Sequence, residues 1–353
     1  MAKKKAHHSV FTVPPITDVA VLIEELTRPS RDLIKSLGTL EGDILILGVN
    51  GKMGPTLACL AARAIEAAGT SKNIIGVSRS LTPENQRLLD EAGVKTIQAD
   101  LLEPGALDAL PDAPNVIYMC GRKFGSTGAE WDTWATNVFL AGLTANRYRD
   151  ARIVAFSSGN VYPFVPVTSR GATESTTPDP VGEYAMSCLG RERMFDYYAA
   201  HAGTKVLHFR LNYAVELRYG VLHDVAAKVW NNQPIDLAAG HANVIWQGYA
   251  NDVALRALTL ATVPPSILNV TGPETLSIRE IAERMGQLLG KPPVFTSEES
   301  PNALLSNATQ CHNLFGYPPI TLDTLIEWTA HWVMNNRETL NKPTHFEVRN
   351  GRF

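Results

Sequence analysis

The chain has 353 residues, a length suited to about two domains or one large α/β unit. Its 32 Lys+Arg against 35 Asp+Glu leave a formal net charge of −3, so the excess positive charge that a phosphate backbone needs is missing and no nucleic-acid partner is expected. With 45% apolar and 19% charged residues the composition is that of an ordinary globular protein. The longest apolar runs, such as 44–49, fall far short of the roughly 20 residues that span a bilayer, so no membrane partner is expected either.

Taken in chain order, Met1 to His8 carries Lys3, Lys4 and Lys5 with no apolar segment after them, which predicts a frayed end and not a secretory signal. His7 and His8 there lack metal-ligand spacing. Residues 11–42 form a leader with helical periodicity at Val19, Leu22, Ile23 and Leu26, a break at Pro29-Ser30, and a second short pattern through Leu33, Ile34 and Leu37. From Asp43 onward short β-rich runs alternate with longer helical ones. Strands are predicted near 44–47, 74–77, 95–98, 116–118, 153–156 and 206–209, and helices over 53–68, 83–92, 131–148 and 183–200. That alternation predicts an α/β fold with a doubly wound parallel sheet of the Rossmann type, built by right-handed crossovers over residues 43–212. Residues 213–353 read as a smaller mixed substrate lobe, with helices near 221–230, 252–261, 278–289 and 321–333 and short strands near 235–237, 244–246 and 267–270. The cysteines Cys59, Cys120, Cys188 and Cys311 are widely spaced without a C-x-x-C pair, which fits a reducing cytoplasm.

The run Ile44-Leu45-Ile46-Leu47-Gly48-Val49-Asn50-Gly51-Lys52-Met53-Gly54 is an apolar strand feeding a G-x-x-G-x-x-G turn that opens a helix. Such glycines allow a tight turn, close backbone approach to a pyrophosphate and close packing of helix on strand, while the helix N-terminus supplies partial positive charge. The turn from Gly48 to Gly54 is therefore the expected cofactor loop. The second strand should end beside the adenosine ribose, where a carboxylate favours NAD and an arginine accommodates a 2′-phosphate. Here it ends in Ser78-Arg79-Ser80, which favours NADP over NAD. Asp100 and Leu101 after the third strand are candidates for the adenine, Asp100 either receiving its amino group or capping the next turn. Cys120 and Gly121 after the fourth strand are candidates for the remaining wall.

Further along, Phe156-Ser157-Ser158-Gly159-Asn160-Val161-Tyr162, Asn137 within 136–142, and Asn269-Val270-Thr271-Gly272-Pro273-Glu274 complete a pattern. With the glycine loop they resemble the extended short-chain dehydrogenase/reductase superfamily, in its NAD-dependent epimerase/dehydratase family, from about Asp43 to Val333. The resemblance implies that Ser158 hydrogen-bonds the reacting oxygen and that Tyr184 is the acid/base. It also implies a homodimer built from a helix pair, here the 131–148 and 183–200 patterns.

A free tyrosine has a pKa near 10, and the family lowers it with a lysine four residues on that also holds the cofactor ribose. Here the run is Tyr184-Ala185-Met186-Ser187-Cys188, so that lysine is a cysteine. Three readings stand side by side. Cys188 packs, and the protein binds cofactor without ordinary redox turnover. Another cation replaces the lysine, from Arg122 or Lys123 after the fourth strand or from Arg191 on the Tyr184 helix. Or Cys188 is itself a nucleophile or redox thiol. On the second reading Lys123 is catalytic, and its ammonium must come within about 4–6 Å of the Tyr184 oxygen.

Relatives that hold a nucleotide-sugar use an arginine opening a strand. The matching stretch, Ile245 to Asp252, has none, and the motif after the sixth strand reads Arg210-Leu211-Asn212-Tyr213-Ala214-Val215. Arg218 could be a displaced anchor. The expected substrate is thus a smaller sugar, polyol or sugar acid met by Arg122, Lys123, Ser158, Asn160 and Asn212. The alternatives are a binder without turnover and a nucleotide-sugar epimerase or dehydratase. The histidines lack ligand spacing, so no metal is expected, and no G-x-S-x-G elbow marks a serine hydrolase.

Overall fold

The computed structural model describes residues 11–352 apart from Phe124, Ser126 and Pro343. The frayed end and its His7 and His8 lie outside the described residues. Seven strands, β1 (Ile44–Leu47), β2 (Ile74–Ser78), β3 (Lys95–Gln98), β4 (Asn115–Tyr118), β5 (Arg152–Ser158), β6 (Lys205–Leu211) and β7 (Ser266–Val270), form one sheet. Its order is β7-β6-β5-β4-β1-β2-β3 and every pairing is parallel. β1 explains the two-faced core: Ile44 and Ile46 join the apolar cluster on one side, Leu45 and Leu47 that on the other, and all four are fully buried. A parallel strand covered by helices on both faces needs that continuous apolar run.

The strand order reverses between β1 and β4, so the loops leaving their carboxyl ends diverge and open a crevice there. One face carries α3 (Gly54–Ala67) and, further along, α8 (Val221–Trp230) and α9 (Gln247–Arg256). The other carries α6 (Leu140–Arg147) and α7 (Gly182–Ala202). α4 (Pro83–Glu91) links β2 to β3, starting with Thr82 accepting from the Asn85 amide, while α10 (Ile278–Leu289) and α12 (Leu322–Met334) back α8.

Three features depart from the sequence expectation. The helix predicted over 131–148 is split into α5 (Glu130–Trp134), a π-helical turn at Ala135–Phe139 and α6. The extra residue of that turn points Asn137 inward, where its amide donates to Arg122 O and Ser187 Oγ. α9 begins at Gln247, five residues before the predicted start. Gln247 and Asn251 are buried polar residues, both bonded to Thr56 Oγ1 at 3.0 Å, so apolar periodicity is silent there. The strand predicted at 267–270 within the smaller lobe is β7, an edge of the main sheet beside β6. The leader, whose helices are α1 (Val19–Leu26) and α2 (Arg31–Thr39), neither caps a sheet edge nor extends the α6–α7 face. It packs outside α3 and α9, with the Ser30 amide donating to Asp252 and Lys72 Nζ to Leu37 O.

From Glu338 the chain returns as a strap across α8. Leu340 N donates to Arg218 O, Thr344 donates through its amide and hydroxyl to Asp224, and Glu347 pairs with Lys228 at 2.9 Å. No described helix is long and apolar enough to cross a membrane.

Candidate functional site

The turn after β1 closes against the loop after β4 at Gly48. Gly48 has φ of +90°, and a Cβ there would stand 2.9 Å from the Cys120 amide nitrogen. A Cβ on Gly54 would stand 2.2 Å from Val49 O, so this glycine lets the start of α3 close against its own strand. Between the two loops runs a groove of about 250 Å³ lined by Gly48, Asn50, Gly51, Ser78, Arg79, Ser80, Asp100, Leu101, Cys120 and Gly121, among others. Ten of the residues read from sequence as cofactor contacts thus share one cavity. Arg79 and Ser80 are exposed at its rim. Asp100 Oδ1 accepts from Leu102 N at 3.1 Å, so the carboxylate caps the turn while lining the groove. Burial pushes the Cys120 thiol up to about 12, which keeps it unreactive. The groove has the glycine-built wall and the reach to the end of β2 that a dinucleotide requires.

A second cavity, of about 180 Å³, opens beyond the ends of β5 and β6. Ser158, Tyr184, Lys123, Asn160 and Asn212 line it together, although they come from separate places in the sequence. Tyr184 hydrogen-bonds the side chains of Ser158 and Cys188. Burial, then the Cys188 thiol, raises its phenol well above 10, and the Arg191 guanidinium pulls it back. Lys123 Nζ lies 5.9 Å from the centre of the Tyr184 ring and donates to Thr344 O at 3.2 Å. Burial lowers this ammonium to about 8, against the opposing pull of Cys188, Asp224 and Glu347.

Some expected residues lie elsewhere. Lys52 and Met53, read as cofactor contacts, line the second cavity and not the groove. Gly54 packs on Val49. Cys188 is fully buried with Val161, Tyr162 and Ala172 behind Tyr184, and burial raises its thiol, so it is a packed group and not an activated nucleophile. Arg122, read as a substrate contact, lines neither cavity; it pairs with Asp132 at 3.2 Å and donates to Gly125 O, because Asn137 pins its backbone and turns the side chain outward. Arg218 is engaged with Glu216 and Glu338. Arg191 runs under the loop after β4, donating to Phe156 O at 2.7 Å and to Asn137 Oδ1 at 2.8 Å.

Sequence reasoning missed the support behind Ser158. Arg210 makes a two-pronged contact with Glu192 (2.9 and 2.6 Å) and donates to Tyr162 Oη at 2.8 Å; Tyr162 donates to Asn269 Oδ1, and Ser157 Oγ donates to Glu192. The two carboxylate–guanidinium bonds hold α7 to β6 with fixed geometry. No local signal marks it: Glu192 lies in the charged run Arg191-Glu192-Arg193 of α7, and its partner is on β6. Among the described residues no group of three or more His, Cys, Asp or Glu is placed to hold a metal ion.

Residues 44–260 match the family model described as the NAD dependent epimerase/dehydratase family. The chain belongs to that family. Membership of this enzyme family agrees with its fold: a UDP-glucuronic acid 4-epimerase from Bacillus cereus superposes with a TM-score of 0.69 at 15% identity, covering 83% of this chain and 99% of that one. A dTDP-glucose 4,6-dehydratase from Bacillus anthracis, in complex with NAD, gives 0.69 at 16% identity over 84% and 97%. A UDP-glucose 4-epimerase from Thermus thermophilus, also with NAD, gives 0.66 at 17% over 82% and 98%. At such identities the likeness speaks for the fold. No curated protein sequence matches the chain.

Proposed function

We propose that this family member is an NADP-preferring oxidoreductase or epimerase acting on a small sugar, polyol or sugar acid. The observation that carries the reading is the Lys123 ammonium over the Tyr184 ring, in one cavity with Ser158. A bound nicotinamide dinucleotide would supply the hydride acceptor or donor. The chain's residues do the rest. The Gly48–Gly51 backbone at the start of α3 receives the pyrophosphate, and Arg79, with no acid beside it on β2, meets the 2′-phosphate. Ser158 holds the reacting oxygen and Tyr184 moves its proton. In place of the absent lysine, the Lys123 charge favours tyrosinate from the loop after β4. That charge is present below about pH 8 and is lost above it.

Substrate size supports a small molecule over a nucleotide-sugar. Past Asn160 and Tyr213 the space leading away from Tyr184 is crossed by Phe346, Val348 and Arg349 of the strap, leaving about 30 Å³. The division into a leader, residues 43–212 and residues 213–353 belongs to this reading, as does a cytoplasmic setting, which suits four free cysteines. So does a homodimer through α5, the π turn and α7, where Trp131 (69% exposed), Phe139 (58%), Met186 and Tyr197 form an apolar surface.

The test is a panel of sugars, polyols and sugar acids with each cofactor, following nicotinamide absorbance and epimer composition. Turnover lost in Tyr184→Phe supports the proposal. Cofactor binding without hydride transfer or epimerisation on any member leaves the alternative, a binder without turnover.

A further inference from the structure

The cavity beside Tyr184 carries an electrostatic feature that proton transfer does not use. Lys52, from the turn before α3, places its ammonium there, donating to Ala214 O and standing 4.1 Å from the centre of the Tyr219 ring. Lys123 enters the same cavity from the opposite loop. Among the described residues that line it, none carries a carboxylate. The nearest acids of the segment after β6 and of α8 are engaged elsewhere: Glu216 holds Arg218, and Asp224 accepts from the amide and hydroxyl of Thr344.

An ammonium has three donors, and Lys52 directs one at Ala214 O and a face at an aromatic ring, neither of which carries the charge that would neutralise it. Among the described residues it makes no ion pair. An anion in this cavity meets two ammonium groups and, among the described residues, no lining carboxylate, so its interaction with the wall is attractive from both sides. A third observation points the same way. Asn212 is 2% exposed, lines the cavity, and has a side-chain nitrogen without a hydrogen-bond partner. A buried donor left unsatisfied is uncommon and marks a place where an acceptor belongs.

We propose that Lys52, Lys123 and Asn212 form a receptor for an oxyanion carried by the substrate, so that the molecule presented to Ser158 and Tyr184 is a small hydroxylated anion. The inference rests on the reading of Ser158 and Tyr184 as the reacting pair only for where the rest of the substrate lies. Lys52 and Asn212 grip the charged end, and the hydroxyl-bearing carbon faces Tyr184. The cavity volume, about 180 Å³, suits a molecule of a few carbons, on the share of about 30 Å³ per water-sized group.

Equilibrium binding tests this without requiring turnover. The full chain saturated with NADP⁺ is titrated calorimetrically with glycerate, glyceramide and glycerol, which differ in charge and hardly in size, and with glycerol 3-phosphate and inorganic phosphate. The expected result is at least tenfold tighter binding of glycerate or of glycerol 3-phosphate than of the neutral pair, and the stronger of the two identifies the oxyanion as carboxylate or phosphate. Lys52→Met should erase the preference and Lys52→Arg keep part of it. Equal binding of glycerate, glycerol 3-phosphate and glyceramide by the unaltered protein overturns the proposal, as does a preference that survives in folded Lys52→Met. Assaying and titrating Tyr184→Phe separates the two ideas: unchanged turnover in the assay defeats the proton-transfer reading, while the preference for anions is still read from the titration.

Discussion

The groove and the second cavity share the loop after β4 yet are built on opposite principles. The groove is lined mainly by backbone, glycines and short side chains at the carboxyl ends of β1, β2, β3 and β4, with Arg79 at its rim. The cavity is made of long side chains arriving from the β1 turn, the β4 loop, β5, α7 and the segment after β6, with the strap closing it. A site built from backbone takes its donors from any residue but proline and is sensitive to side-chain change where a glycine is required, as at Gly48 and Gly54. One built from buried charges is only as good as each partner. In the proposed mechanism Cys188 stands where a lysine would be expected, and the cation proposed in its place, Lys123, lies 5.9 Å from the centre of the Tyr184 ring on another element.

Changes at Tyr184 and at the buried Glu192–Arg210 contact should therefore cost most, and a change at the rim of the groove less. Tyr184→Phe is expected to reduce turnover by about 10²–10⁴-fold, the usual contribution of a positioned acid/base, with cofactor affinity within about twofold of the parent by fluorescence titration. A smaller loss would break the contrast. Arg210→Met leaves the Glu192 carboxylate buried without its partner, and urea unfolding should register a loss of about 3–5 kcal/mol. Lys123→Met should lower kcat about tenfold, equivalent to about 1.4 kcal/mol in the barrier. It should also move the activity profile to higher pH, because removing a positive charge beside a phenol raises the phenol's pKa. If only KM rises, with kcat and profile intact, Lys123 is a substrate clamp alone.

On the groove side, Arg79→Ala should weaken NADPH binding by about 1–3 kcal/mol and leave NADH nearly unchanged; equal losses for both would remove the 2′-phosphate role. The smallest effect is one of linkage. Burial lowers Lys52 to about 7 and Lys123 to about 8 from 10.5, so between pH 7 and 10.5 the unfolded chain binds more protons than the folded one. Stability should rise with pH across that window, and Lys52→Met should flatten the rise. Both side chains keep some exposure, which damps the slope, and chemical unfolding at several pH values measures it.

What could be read beforehand follows the same division. The strands β1 to β6 and the glycine loop were legible because each is a local pattern: an apolar run, a fixed spacing, a break. The groove followed from them, since Gly48, Ser78, Asp100 and Cys120 all stand at or just past strand ends. Lys52 was misplaced because spacing places a residue on a turn and says nothing of which side its four-carbon stem takes. The start of α9 at Gln247 was hidden because Thr56, the partner that justifies burying Gln247 and Asn251, is some 190 residues away. The strap and the Glu192–Arg210 contact were invisible for the same reason: nothing local distinguishes a buried charge from a solvated one until its partner is known.

The π turn at Ala135–Phe139 has a kinetic consequence. Asn137 bonds the backbone of Arg122 through both its N–H and its carbonyl, so the strand of chain from Gly121, which walls the groove, to Lys123, which walls the cavity, is held as one stiff piece. On the proposed reading, a dinucleotide that shifts this piece from the groove side also shifts Lys123 in the cavity. Catalysis by such a site should follow an ordered sequential scheme, with the dinucleotide first to arrive and last to leave, a pattern that product inhibition would make visible.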